Sequence, residues 1–141
     1  VNVRVLGIDH VVLRIADVER SLAFYCNVLG CHVERRLDAL GLIQLRAGSS
    51  LIDLVDVASP LGQAGGPPPS ARGRSVDHVA LRIEAFDEEA LRAHLLHHGV
   101  EPGDVAPRYG AEGTGPSMYV HDPDGNVIEL KGPSQAGPTG A

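Results

Sequence analysis

Ile8-Asp9-His10-Val11-Val12-Leu13-Arg14-Ile15 and Val76-Asp77-His78-Val79-Ala80-Leu81-Arg82-Ile83 are one motif written twice. The copies differ only at Ile8/Val76 and Val12/Ala80, apolar for apolar in both cases. Self-similarity of this kind marks an internal duplication, so the elements after one copy should recur after the other. Each copy leads into a helical pattern. In the first, Asp17 is placed to cap, Val18, Leu22, Tyr25, Cys26 and Leu29 recur at helical spacing, and Gly30 stands where a C-terminal glycine belongs. In the second, Asp87-Glu88-Glu89 puts negative charge at the helix start, Leu91, His94, Leu95 and His98 share a face, and Gly99 ends it. Three short strand-like runs come after each helix, at about 32–38, 42–48 and 51–57, then at about 100–106, 116–121 and 126–131. The order is β-α-β-β-β, twice.

These runs set the domain organisation. A first module spans 1–58, a Gly/Pro-rich linker 59–75, a second module 76–131 and a flexible Gly/Pro/Ser/Ala tail 132–141. The fold class is α+β, with two βαβββ modules. A length of 141 residues suits one compact domain, or two small ones sharing a core.

Composition excludes several classes of function. Apolar residues make up 43% and charged residues 21%, an ordinary globular balance. No apolar run approaches the roughly 20 residues that cross a bilayer, so no membrane partner is expected. Val1 to His10 lacks the charged and apolar regions of a signal peptide. Acidic residues outnumber basic ones 18 to 12, and only five residues are aromatic, against nucleic-acid binding by charge or by stacking. Cys26 and Cys31 make no disulfide framework and fit small buried or half-buried thiols in a reducing cytoplasm.

Strand alternation shows where the ionisable residues point. Val11, Leu13 and Ile15 form the helix-facing row of the first strand, leaving His10, Val12 and Arg14 on the other face. The second copy puts His78, Ala80 and Arg82 there. Asp9 and Asp77, adjacent to the histidines, are expected to point the opposite way and not to assist them. In the last strand of each module, Ile52 and Leu54, or Ile128 and Leu130, form the apolar row, so Asp53 and Glu129 face away from it. Each module therefore supplies one histidine and one carboxylate on its polar face. A single strand histidine is ordinarily hydrogen-bonded or exposed. The same His–carboxylate pair at equivalent places in both copies is not required by packing, and suits a divalent ion such as Zn, Ni, Co, Mn or Fe rather than thiolate chemistry. His94, His97 and His98 read as surface residues favoured by a helix C-terminus, and His32 and His121 as strand-edge polar residues, with His121 a weak site candidate.

With these residues placed, the chain resembles the vicinal oxygen chelate superfamily over about residues 5–131. That group includes glyoxalase I, fosfomycin-modifying enzymes, methylmalonyl-CoA epimerases, extradiol dioxygenases and bleomycin-resistance proteins. The likeness is carried by Asp9-His10-Val11, Ser21-Leu22-Ala23-Phe24-Tyr25, Val28-Leu29-Gly30, Asp77-His78-Val79 and, most specifically, Asp122-Pro123-Asp124-Gly125-Asn126-Val127-Ile128-Glu129-Leu130. It implies two βαβββ modules forming an open, curled mixed sheet, with metal positions at His10, Asp53, His78 and Glu129. Asp53 stands where glyoxalase I has Glu, so the set is either these four or His10, His78 and Glu129. The catalytic carboxylate that carries a proton is then Glu129 or Asp53. Arg14 matches a glyoxalase I arginine that contacts the glutathione carboxylate. Gly110 to Gly115, with Pro116-Ser117-Met118-Tyr119, resembles the loop and strand of fosfomycin enzymes, in which Ser117 and Tyr119 would face the metal and hold an anionic substrate. The arginine those enzymes carry after the last carboxylate is replaced by Lys131-Gly132-Pro133-Ser134-Gln135.

The function the resemblance implies is a metal-dependent lyase or isomerase of glyoxalase I type. It would act on a small vicinal-oxygen substrate through a stabilised enediolate, with glutathione or another thiol as co-substrate. Alternatives within the same resemblance are an epoxide-opening transferase or hydrolase of fosfomycin type, and a non-enzymatic ligand-binding protein of bleomycin-resistance type. Modules of this family often pair between chains, which implies an isologous homodimer.

Overall fold

The computed structural model describes residues 4, 6, 8–68, 70 and 76–135. The chain divides into two compact units, Val1–Ser70 and Ala71–Ala141. In the first, β1 (His10–Ile15) leads into α1 (Val18–Leu22), which continues as a π-helical stretch over Ala23–Val28. Strands β2 (His32–Leu37), β3 (Leu42–Ala47) and β4 (Ser50–Asp56) come next, then a short helix α2 (Pro60–Gln63). The second unit repeats the plan with β5 (His78–Arg82), α3 (Glu88–His97), β6 (Val105–Gly110), β7 (Gly113–His121) and β8 (Val127–Lys131). Each unit is an open four-stranded mixed sheet, ordered β1-β4-β3-β2 and β5-β8-β7-β6. The expected βαβββ duplication is present in both.

The apolar rows face inward as the alternation predicts. Leu13, Ile15, Ile43, Leu45, Ile52 and Leu54 are buried in the first unit, and Met118, Val120, Ile128 and Leu130 in the second. Asp17 caps α1 by accepting from the Arg20 N–H at 2.9 Å, and Asp87 caps α3 by accepting from Ala90 at 3.1 Å. The π-helical stretch alters the expected face of the first helix. With Leu29 N–H donating to the Phe24 carbonyl, five residues back, the helix widens and its face rotates. Ser21, Phe24 and Tyr25 become its buried residues, while Leu22 and Cys26 are half-buried. Cys31 is buried and free, as is the half-buried Cys26, and burial pushes the Cys31 thiol up to about 11.

Three expectations need correction. The strand read at 100–106 lies at Val105–Gly110 instead. The Val100 N–H is spent on the Leu95 carbonyl at 2.8 Å, closing α3 after Gly99 turns at φ +73°. The Gly-rich run 110–115 is likewise not an open loop: Gly110 pairs with Gly113 across a tight hairpin, and Gly113 to Pro116 are already β7. The tail, expected to be flexible from 132, is held through Gln135. Gly132 N–H donates to Pro116 and Gln135 N–H to Thr114, each at 2.8 Å, extending the ladder beside β7. Residues 136–141 of that tail, and 69 and 71–75 of the linker, lie outside the described residues.

The rest of the linker is pinned. Ser59 caps α2 by accepting from Gly62 N–H at 3.0 Å. The Arg14 guanidinium donates to the carbonyls of Pro67 at 3.0 Å, Gly62 at 3.1 Å and Gly66 at 2.5 Å. Gly65 lies so close that a Cβ there would collide with Arg14 Nε.

Leu95 is the one buried residue of α3 and is fully enclosed. Leu95→Ala should destabilise the protein by about 2–5 kcal/mol, read as a shifted urea midpoint at unchanged slope. A loss below about 1 kcal/mol would mean that α3 is not held through this side chain.

Candidate functional site

The site residues are set by two parallel strand pairs with the same register. In β1/β4, Val12 lies opposite Asp53, and in β5/β8, Ala80 lies opposite Glu129. His10 and His78 each stand two residues before that opposed position, so each histidine shares its sheet face with the carboxylate, one pleat away. In the third strand Gln44 opposes Asp53 and Tyr119 opposes Glu129.

In the second unit the pair is in contact. His78 Nε2 lies 3.3 Å from Glu129 Oε1, and His78 Nδ1 lies 2.8 Å from Asp77 Oδ2. With Nδ1–H donating to Asp77, Nε2 presents a lone pair to a carboxylate oxygen. Two lone-pair donors at that separation call for a proton or a cation between them. Bonds of about 2.1 Å to one ion at roughly tetrahedral angles put nitrogen and oxygen about 3.4 Å apart. Glu129 is buried at 6% exposure, while the His78 ring meets it from the solvent side.

The first unit is built alike but is looser. His10 Nδ1 lies 2.6 Å from Asp9 Oδ1. Asp53 is 3% exposed; its Oδ2 accepts from Gln44 Nε2 at 3.1 Å, and its Oδ1 is buried with no hydrogen-bond partner among the described residues. An orphaned buried carboxylate oxygen is costly unless a cation completes it. The hydrogen bond to Asp9 holds the His10 imidazole above its ordinary value of 6.5, against desolvation and helped by the charge of Asp53.

Asp9 and Asp77 therefore overturn an expectation. Both touch the neighbouring histidine rather than pointing away from it. Each lies just before its strand begins, where the pleat no longer dictates direction and the carboxylate can fold back. A histidine whose Nδ1 is fixed by a carboxylate offers Nε2 as a metal ligand. The donor chemistry of both pairs thus fits a divalent ion. Among the described residues no three His, Cys, Asp or Glu side chains of the structure gather as one metal cluster. What the two units present are two pairs.

Arg14 shares a face with His10, but its guanidinium is held by linker carbonyls. Ser117 is fully buried, and Tyr119 lies edge-on to His78 with ring centres 5.4 Å apart. Both meet a residue that sequence reasoning misses. Arg108 Nη1 donates to Ser117 Oγ at 2.7 Å and to its carbonyl at 3.0 Å, and the guanidinium lies over the Tyr119 ring at 4.3 Å. The misplaced β6 hides it, because the correct register puts Arg108 on the face of Ser117 and Tyr119. Lys131 is missed too: it is buried, and Nζ donates to the Gly113 carbonyl at 3.2 Å. His32 and His121 are exposed strand residues.

Among the described residues no helix is long and apolar enough to cross a membrane. Residues 7–130 match the family described as the Glyoxalase/Bleomycin resistance protein/Dioxygenase superfamily. The chain is 32% identical over 124 residues to the catechol-2,3-dioxygenase of Bacillus subtilis, covering 87% of this chain but only 40% of that protein. It is 30% identical over 134 residues to the lactoylglutathione lyase of Salmonella typhimurium, covering 91% of this chain and 93% of that one. The solved structure of an integron cassette protein from V. Cholerae superposes with a TM-score of 0.71 at 28% identity, over 95% of this chain and all of the other.

The contact between Asp9 and His10 has a pH consequence. In metal-free protein, the His10 ring should titrate above 6.5 by NMR, and Asp9→Asn should move its midpoint downward. An unmoved midpoint in Asp9→Asn would show that Asp9 does not hold the imidazole.

Proposed function

We propose, for a chain that belongs to the Glyoxalase/Bleomycin resistance protein/Dioxygenase superfamily, a metal-dependent lyase or isomerase activity of glyoxalase I type on a small substrate with vicinal oxygens. The observation that carries it is the repeated pair: histidine and buried carboxylate at the same register in both units, each histidine fixed at Nδ1 by the preceding aspartate. His10, Asp53, His78 and Glu129 are the ligands in this reading. A divalent ion bound there supplies Lewis-acid polarisation of the vicinal oxygens.

The chain's own residues do the rest. Asp9 and Asp77 fix one tautomer of each imidazole, so that Nε2 faces the substrate side. The Glu129 carboxylate takes the proton from the carbon beside the substrate carbonyl and returns it to the neighbouring carbon, as an isomerase requires. Its burial keeps that proton from solvent. Tyr119, edge-on to His78, forms a wall beside the reacting centre. A thiol such as glutathione enters as co-substrate.

The test compares Glu129→Gln with Asp53→Asn, each reloaded with Zn, Ni, Co or Mn and assayed on hemithioacetals. Glu129→Gln should lose about 100-fold or more in turnover, together with bound metal. Asp53→Asn should lose less, because Asp is one methylene shorter than the family's Glu and already accepts from Gln44. An equal or larger loss in Asp53→Asn would reverse the assignment of the proton carrier.

A second reading has its own observation. Arg108, stacked on Tyr119 and bonded to Ser117, brings a cation to the face that carries His78 and Glu129. That favours a substrate with an anionic group, as in epoxide-opening chemistry of the fosfomycin type. Arg108→Gln should raise KM for an anionic epoxide about 10-fold or more while leaving neutral hemithioacetals within about 3-fold. Equal effects on both would remove this reading.

A further inference from the structure

Away from the sheet faces, the C-terminal turn of α3 carries three histidines. His94, His97 and His98 are all exposed. The rings of His94 and His98 have centres 4.8 Å apart and planes inclined at 61°, and the His97 ring stands against His98 at 5.2 Å and 85°. Spacing of four residues puts His94 and His98 on one face, one turn apart. Two imidazoles on one transition-metal ion, with bonds of about 2.1 Å and ligand angles of about 90–110°, have ring centres roughly 4.5–5.3 Å apart. The His94–His98 separation lies inside that window. The local field agrees. The last carbonyls of the helix give its end a partial negative charge, and the chain carries a formal net charge of −6.

We propose that His94 and His98 form a second, open site that chelates a borderline transition-metal ion such as Ni(II), Cu(II) or Zn(II) through two imidazole nitrogens, with water completing the shell. His97 is the positioning residue, packing on His98 and limiting its ring rotation. The site differs from the His–carboxylate pairs in ligand type. Lacking a carboxylate, it selects imidazole-favouring ions over Mn(II) and Mg(II). It is exposed, so it exchanges its ion with solvent quickly. Metal analysis should therefore find a labile class of sites that does not depend on His10, His78, Asp53 or Glu129.

The test uses the full chain without an affinity tag, stripped with a chelator and titrated with Ni(II). Ring signals of His94 and His98 should broaden together at lower Ni(II) than that of His97. Retention on immobilised Ni(II) is measured in parallel. His94→Gln and His98→Gln, each at an exposed position that leaves the core untouched, should each weaken this binding about 10-fold or more, because one-point attachment replaces chelation. Gln at 97 should cost less than about 3-fold. His10→Gln/His78→Gln should leave the effect intact, which separates this site from the proposed centre. Unchanged binding and retention in His94→Gln/His98→Gln would overturn the proposal and leave the ring contacts as stacking only. Loss of binding in His10→Gln/His78→Gln would overturn it equally.

Discussion

Asp53 and Glu129 are carboxylates on central strands, 3% and 6% exposed, and a carboxylate taken out of water must be balanced locally. Much of the surrounding design answers that requirement. Gln44 lies opposite Asp53 in the ladder and donates to one of its oxygens. His78 lies diagonally across from Glu129 and brings Nε2 to it. Among the described residues, one oxygen of Asp53 stays without a donor. A fold of this size tolerates such groups when they serve a cation or a proton, because uncompensated burial would consume much of its marginal stability.

The balancing groups depend on the strands being parallel. In β1/β4 and β5/β8 a two-residue offset brings histidine and carboxylate to one face, and both units use the same offset. The connection between the parallel strands carries the helix and two further strands, which the duplicated βαβββ order supplies. The aspartates before each histidine complete the unit. Each imidazole is thus held at Nδ1, by Asp9 or by Asp77.

The two units have diverged around this common pair. The first surrounds its carboxylate with a neutral amide and ties Arg14 to the linker carbonyls. The second surrounds its own with an aromatic ring, a guanidinium stacked on that ring and a buried lysine on the same strand. Duplication gives two equivalent half-frames, and the side chains opposite the carboxylates, Gln44 and Tyr119, set the difference in polarity between them.

The repeated octapeptide carries the duplication, and alternation carries the face of His10, His78, Asp53 and Glu129, because a strand's period of two is a property of the backbone. The caps at Asp17 and Asp87 are equally legible, since they depend on the next few residues alone. The position of β6 is not. Val105–Gly110 pairs where the closing turn of α3 permits, and that depends on where the helix ends in space. Arg108 therefore escapes a reading by spacing, and Asp9 and Asp77 receive the wrong direction from it. Alternation holds only within a paired strand, and these two aspartates lie just outside one. Within β1, β4, β5 and β8, alternation alone tells which residues share a face. The tertiary structure alone decided which atoms meet, because a hydrogen bond or a chelating pair depends on tenths of an ångström that no spacing rule resolves.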